Sequence, residues 1–300
     1  MPWEHMASIL IKAAELCGDN GPIRLGPTTD NRPADVDEAE FQHIFGTDRP
    51  AKWIAELSGA YLFECSYELR ALSNMIEAQC VAGTLELLVR AVLERTGRIS
   101  WVLDSAEETT SRTRGRRAAF EWNVCIYYYR RAIEGIGSAE AVKEIQKSNR
   151  DERTLLEEWF TVEKELNDPC DLNSGLTGDI SKWMLDGEKY PNYTELAHWV
   201  LIEGEIDKKG SAGTYAALSS FSHPNFMASR EARNVTESTV SYTYDLDYTE
   251  RLIRLALFSF CYTLKRWASY YDANYDAVAA EANNIVGQWK ALIASEGSQS

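Results

Sequence analysis

The chain of 300 residues is long enough to bury a large core, and a composition of 45% hydrophobic and 26% charged residues is that of an ordinary globular protein. Its 46 acidic and 31 basic side chains leave a formal charge of −15, which disfavours binding to a nucleic-acid backbone unless basic residues are locally concentrated. No run approaches the roughly 20 apolar residues of a membrane helix, no signal-like segment opens the chain, and the six cysteines lack metal-like spacing; a cytoplasmic protein with reduced thiols, no metal and no cofactor is expected.

Met6, Ile9, Leu10 and Ala13 set a helical spacing over residues 2–16, after which a Gly/Pro/Asp-rich stretch to about Asp37 reads as a linker or surface arm. From Ala51 to Asp104 helical periodicity is almost unbroken, and its length predicts two helices with a break near 79–83 rather than one rod. A third helix is predicted over 113–133, ending in Gly135 and Gly137, which suit a left-handed C-terminal turn, and a fourth over 139–167. Residues 168–191 hold two prolines and three glycines and read as a long loop with a helical insert at 180–185. Asn192 with Glu195 resembles a capping box, as does Asp247 with Glu250, opening helices that run to about Leu201 and over 252–270. Between them lie a helix-like run over 211–223 and a β-branched, aromatic stretch that suits a minor β-hairpin near 235–246. A last helix over 274–294 completes an all-α fold, a multi-helix bundle with long antiparallel helices. Residues 1–50 read as an N-terminal helix and arm, 51–295 as a single helical domain, and 296–300 as a tail.

Three groups of polar residues stand out. Tyr215, Ser219 and His223 recur every four residues and form one stripe of a helix, edged by Leu218 and Phe221. His223, one of four histidines, is the natural proton carrier there, with Ser219 one turn back; a histidine ahead of a proline also caps helix ends, and both roles stay open. Glu86, Arg90, Glu94 and Arg98 step one turn at a time with alternating sign, as a structural ion ladder or with Arg90 or Arg98 free for a ligand. Arg112, Arg114, Arg116 and Arg117 belong to a segment, 98–131, with seven arginines against four acids. That makes Arg98, Arg112, Arg116 and Tyr215 candidate anion or nucleotide ligands, unless carboxylates elsewhere pair the arginines. Phosphate loops, dinucleotide fingerprints and zinc spacings are absent from the sequence.

The stretch Leu88-Val-Arg-Ala-Val-Leu-Glu94, followed by Trp101-Val-Leu-Asp104 and later by Tyr215-Ala-Ala-Leu-Ser-Ser-Phe-Ser-His223, resembles an uncharacterised bacterial all-helical family. The family carries an Arg-x-x-x-Glu helix ending in Trp-x-Leu-Asp and a Tyr-x-x-Leu-Ser-x-x-x-His helix. The likeness spans about Ala51 to Ala268 and is distantly similar to HEPN-like helical bundles, a class that includes RNA-cleaving toxins and defence proteins as well as non-catalytic members. Its ribonucleases place an arginine a few residues before a histidine on one helix, whereas Ala216, Ala217 and Leu218 stand at those positions before His223, so that activity is not carried over. Because most polar positions have a structural explanation, the expected role is an interaction or defence-associated module without catalytic machinery of its own, acting with a protein partner or as a homodimer. The alternatives are a HEPN-like RNA endonuclease using His223 with Arg90, Arg98 or an arginine of the 112–117 cluster and with Ser219 or Tyr215 in support, and anion or nucleotide binding by the 112–117 cluster.

Overall fold

A computed structural model describes residues 3–17, 32–79, 84–106, 108–163, 179–202, 206–222, 233–235, 240–242 and 246–297. Among them are ten α-helices: α1 (Trp3–Glu15), α2 (Pro33–Phe45), α3 (Arg49–Glu77), α4 (Leu85–Val102), α5 (Ser111–Ile136), α6 (Ala139–Trp159), α7 (Tyr193–Leu201), α8 (Lys208–Ser222), α9 (Leu246–Tyr271) and α10 (Tyr275–Gly297). A three-stranded antiparallel sheet joins β1 (Val162–Glu163), β2 (Met184–Leu185) and β3 (Glu188–Lys189), and β4 (Arg233–Val235) pairs with β5 (Val240–Tyr242). The all-α bundle and the minor hairpin expected from the sequence are both present; α3 ends at Glu77 and α4 starts at Leu85, while residues 80–83, where the break was expected, lie outside the described residues.

Five local features differ from the sequence reading. Helix α2 starts inside the supposed arm, with Pro33 at its first turn, where the missing N–H costs nothing. Helix α6 stops at Trp159 and gives way to β1 instead of continuing to 167. The insert at 180–185 is a single 3₁₀ turn over Ile180–Lys182, capped by Asp179, and then the strand β2. Strands β2 and β3 are joined by Asp186-Gly187 with φ of 47° and 78°, the two positive values that a two-residue hairpin turn requires. Gly137 closes α5 in extended backbone, φ −80°, and not in the left-handed turn.

Contacts divide the chain into two compact units. The first comprises residues 1–33, 58–103 and 193–300; the second comprises 34–57 and 104–192. In the first, α4 is the central helix, packed against α7, α8 and α9, while α9 also packs on α10 and α1 on α10. Its apolar face (Val89, Val92, Leu93, Ile99 and Trp101) is buried together with Ile253, Leu257, Phe260 and Leu264 of α9. Burial of this kind is worth roughly 1.5–3 kcal/mol per large side chain, several times what exposed pairs such as Lys52–Asp48 contribute. Polar atoms inside are bonded across helices: Ser100 Oγ lies 3.2 Å from Thr263 Oγ1, Arg266 donates to the Ser100 carbonyl at 3.0 Å, and Trp289 Nε1 donates to Glu250 at 2.9 Å.

In the second unit α5 and α6 form an antiparallel pair, with an aromatic cluster of Phe45, Trp53, Trp122, Trp159 and Phe160 whose ring centroids lie 5.0–6.0 Å apart along the chain of contacts.

Among the described glycines of the first unit the closest approach is at Gly97 of α4, where an added Cβ would lie 2.2 Å from the carbonyl oxygen of Leu196 in α7. Gly59 on α3 has nothing within 4 Å of the same position. Gly97→Ala is therefore expected to destabilise the protein by about 2–4 kcal/mol through overpacking. Gly59→Ala is expected to be neutral or stabilising by about 0.5–1 kcal/mol, because alanine is the better helix former. Denaturant unfolding of the two variants checks the pair, and equal behaviour would remove the close approach as a constraint.

Candidate functional site

In the first unit the polar ladder of α4 meets α8. Glu94 Oε1 accepts both from Arg90 Nε at 2.6 Å and from the Tyr215 hydroxyl at 2.7 Å, so the two helices singled out in the sequence touch at one carboxylate oxygen. Tyr193, the first residue of α7, stacks on Tyr215 with ring centroids 6.3 Å apart and planes 17° from parallel. Arg90 lies over both rings, its guanidinium carbon 5.3 Å from the centroid of Tyr215 and 6.0 Å from that of Tyr193. Arg98 also lies over Tyr193, at 5.4 Å, and over Tyr61, at 5.8 Å. Arginine over an aromatic face is worth about 0.5–2 kcal/mol, more as water is excluded. Glu86, the first rung, is buried and its Oε2 has no hydrogen-bond partner; desolvation raises its pKa. The ladder is thus not one continuous chain of ion pairs.

Burial, followed by the Glu94 carboxylate, pushes the Tyr215 hydroxyl well above the ordinary tyrosine range. Tyr215 therefore holds its proton and serves as a donor rather than a base. Ser219 lies one turn further along α8, half-buried, and His223 lies outside the described residues. A different histidine has a serine partner. His198 Nδ1 of α7 lies 3.1 Å from Ser211 Oγ, and that hydroxyl donates to the Asp207 carbonyl at 2.9 Å, which leaves Oγ to accept from an Nδ1–H. With its hydroxyl proton directed at a backbone oxygen, Ser211 is a structural link and not an activated nucleophile.

Beside this group, Arg95 bridges two carboxylates of α3, pairing with Glu64 at 2.5 Å and with Glu68. Glu68 Oε2 is buried without a partner, and its pKa rises from 4.5 to about 7, because burial outweighs Arg95 while Glu64 and Glu94 add negative charge. Glu68 was not singled out from the sequence. Its signal was the one-turn spacing of Glu64 and Glu68, which places two acids on one helix face.

In the second unit the arginine cluster is engaged by carboxylates. Arg114 grips Asp37 through two bonds, Nε to Oδ2 at 2.6 Å and Nη2 to Oδ1 at 2.7 Å, with the Asp37 side chain fully buried. Arg112 donates to Asp186 at 2.9 Å and to the Trp159 carbonyl at 3.0 Å. Glu188 is held between Arg116 Nε, at 3.0 Å, and Arg117 Nε, at 2.8 Å. Arg117 also reaches Asp104 at 3.2 Å. For Asp104, burial alone would raise the pKa, but hydrogen bonds from Thr109, the Ala106 N–H and Arg117 together hold it below the ordinary value. The β2–β3 hairpin thus supplies two carboxylates, Asp186 and Glu188, to arginines more than seventy residues earlier.

Among the described residues no group of three or more His, Cys, Asp or Glu is arranged to hold a metal, and no helix is long and apolar enough to cross a membrane. Cys65 and Cys261 are buried, and desolvation raises both thiols, that of Cys261 to about 12, so neither is a ready nucleophile. Cys80 and Cys170 lie outside the described residues. No family of proteins, no curated protein and no solved structure matches the chain.

A carboxyl group with a raised folded-state pKa favours folding while protonated. Its contribution is complete below the unfolded value near 4.5 and is lost as pH rises through about 7. Glu68→Gln, neutral at every pH, removes that dependence. The stability of the wild type relative to Glu68→Gln is expected to fall by on the order of 1 kcal/mol between pH 5 and pH 8, after allowance for solvent screening. Urea titrations across that range check it. A relative stability that rises with pH would mean that the Arg95 pair, not burial, governs Glu68.

Proposed function

We propose that this chain is an all-helical interaction module of the kind found among the non-catalytic HEPN-like proteins, with a defence-associated role and without nuclease chemistry of its own. The observation that carries the reading is the engagement of the polar groups that chemistry would need. Arg112, Arg114, Arg116 and Arg117 each pair with a carboxylate inside the second unit, and Tyr215 and Arg90 share one oxygen of Glu94. Where such a pair is buried, as for Arg114 with Asp37 and Arg117 with Asp104, removing one partner costs about 3–5 kcal/mol, so the pairing contributes rigidity. A phosphate ligand would have to displace Asp186 or Glu188 to reach them.

Surface chemistry supports an interaction role. Phe63 and Tyr67 of α3 pack edge to face at 4.9 Å while 52% and 58% exposed, and large aromatic side chains left in water at helical spacing are what protein contacts use. A charge of −15 favours a protein partner over RNA.

The competing reading is an RNA endonuclease in which His223 acts with Arg90 and Ser219; the contact between α4 and α8 at Glu94 and Tyr215 is the observation in its favour. Incubation of the purified chain with mixed RNA, beside His223→Ala and Arg90→Ala, separates the two. The expected outcome is no cleavage above buffer for any of the three. Cleavage by the wild type that is lost in both variants would replace the interaction reading with the nuclease one.

A further inference from the structure

In the α5–α6 pair of the second unit, polar groups share the interior with Phe120, Val124, Tyr127 and Leu156. Its buried positions hold Asn123 and Asn149, both fully buried, and Arg130, Glu152 and Arg153, between 5% and 8% exposed. Both amide atoms of Asn149 and the Oδ1 of Asn123 have no hydrogen-bond partner. Tyr127 sits among the arginines, with the guanidinium carbons of Arg130 and Arg153 5.4 Å and 5.9 Å from its ring centroid. Three large apolar groups of α5 nevertheless face outward, Tyr128 at 47% exposed, Tyr129 at 59% and Ile136 at 87%, whereas the exposed side chains of α6 are almost all charged. A helical pair that is stable alone buries such side chains and leaves its amides and charges in water.

Charge identifies the occupant of this face. Between Tyr127 and Asp151 the chain has five basic side chains, Arg130, Arg131, Lys143, Lys147 and Arg150, against four acidic ones, Glu134, Glu140, Glu144 and Asp151, whereas the whole chain carries −15. Two copies repel each other over most of their surfaces, but not here. The exposed charges of α6 also alternate, with Glu140, Lys143, Glu144 and Lys147 in succession, so a two-fold axis can set the lysines of one copy against the glutamates of the other. A basic segment sought by an acidic partner would lack those acids.

We propose that the end of the α5–α6 hairpin, residues 127–151, is the surface through which two copies of this chain associate, the two hairpins forming an intermolecular four-helix arrangement with Tyr128, Tyr129 and Ile136 between them. The inference rests on the interaction reading and names its partner. Two hairpins with about 15–20 Å of helix each lie at the small end of specific interfaces, so association in the micromolar range is expected.

The experiment is sedimentation equilibrium of the full chain from about 1 to 100 µM, with helical content followed by circular dichroism. For the wild type the mass is expected to rise from 33.9 kDa towards twice that value. Tyr129→Glu/Ile136→Glu is expected to raise the dissociation constant at least about tenfold with helicity unchanged. Lys143→Glu/Lys147→Glu is expected to weaken association, and the further exchange Glu140→Lys/Glu144→Lys in the same chain to restore it, which a merely misfolded variant would not do. A wild type that stays at 33.9 kDa throughout, or a dimer indifferent to these substitutions, overturns the proposal. RNA cleavage dependent on His223 would sink the broader reading without changing the mass, so the two failures are distinguishable.

Discussion

At Gly97 the backbones of α4 and α7 come so close that a side chain would collide with the Leu196 carbonyl, and the first unit is arranged around that approach. With α7 drawn onto α4, Tyr193 at its start is placed over Arg90 and Arg98. Helix α8, packed on both α4 and α7, then brings Tyr215 against Glu94 and onto the ring of Tyr193. The result is a layer of alternating arginine and tyrosine, closed by one carboxylate oxygen that accepts two hydrogen bonds. Each member limits the others: Arg90 pairs with Glu94, burial and then Glu94 keep the proton on Tyr215, and the rings cover the guanidinium groups. Such a layer can hold α7 and α8 in register without moving a proton.

The second unit meets a related problem in another way. Four arginines within six residues would repel one another along α5, and the fold answers by bringing acids from both directions of the chain: Asp37 from α2, Asp104 from the preceding turn, and Asp186 and Glu188 from the β2–β3 hairpin. The small sheet is thereby fixed to α5 by charge, and Asp186 adds a hydrogen bond from the Thr161 N–H at 2.8 Å. Beneath it the indoles and phenyl rings of Trp53, Trp159, Phe45 and Phe160 supply the apolar floor, with Arg112 lying over Phe45 and Phe160 at 5.8 Å and 5.3 Å.

Helix positions were legible in the sequence wherever apolar residues repeat on one face for several turns, as along α3, α4 and α9. So was the ladder from Glu86 to Arg98, because its members are one turn apart on one helix. What joins elements was not legible. The acids that engage Arg112 and Arg116 lie 72 to 74 residues away, and no local pattern encodes such pairings. The two-residue turn Asp186-Gly187 was present as a hairpin signal, but the flanking strands are two residues each, too short for alternation to show. Asp37 is an ordinary acid of a polar stretch until α2 forms and buries it against Arg114. The contact of Tyr215 with Glu94 needed three dimensions, since each helix alone showed only half of it. His223, the residue on which the nuclease alternative depends, lies outside the described residues, so its partners were legible in neither.

The central claim is that Arg90, Glu94 and Tyr215 form one coupled layer between α4 and α8, whose members are engaged with one another rather than with a substrate. A double-mutant cycle of Glu94→Ala and Tyr215→Phe, measured by denaturant unfolding, addresses it most directly. A hydrogen bond from a retained phenol proton to a partly buried carboxylate is expected to appear as a coupling energy of about 1.5–3 kcal/mol. Additivity within about 0.3 kcal/mol would show that the two side chains act independently, and would contradict the account of this layer.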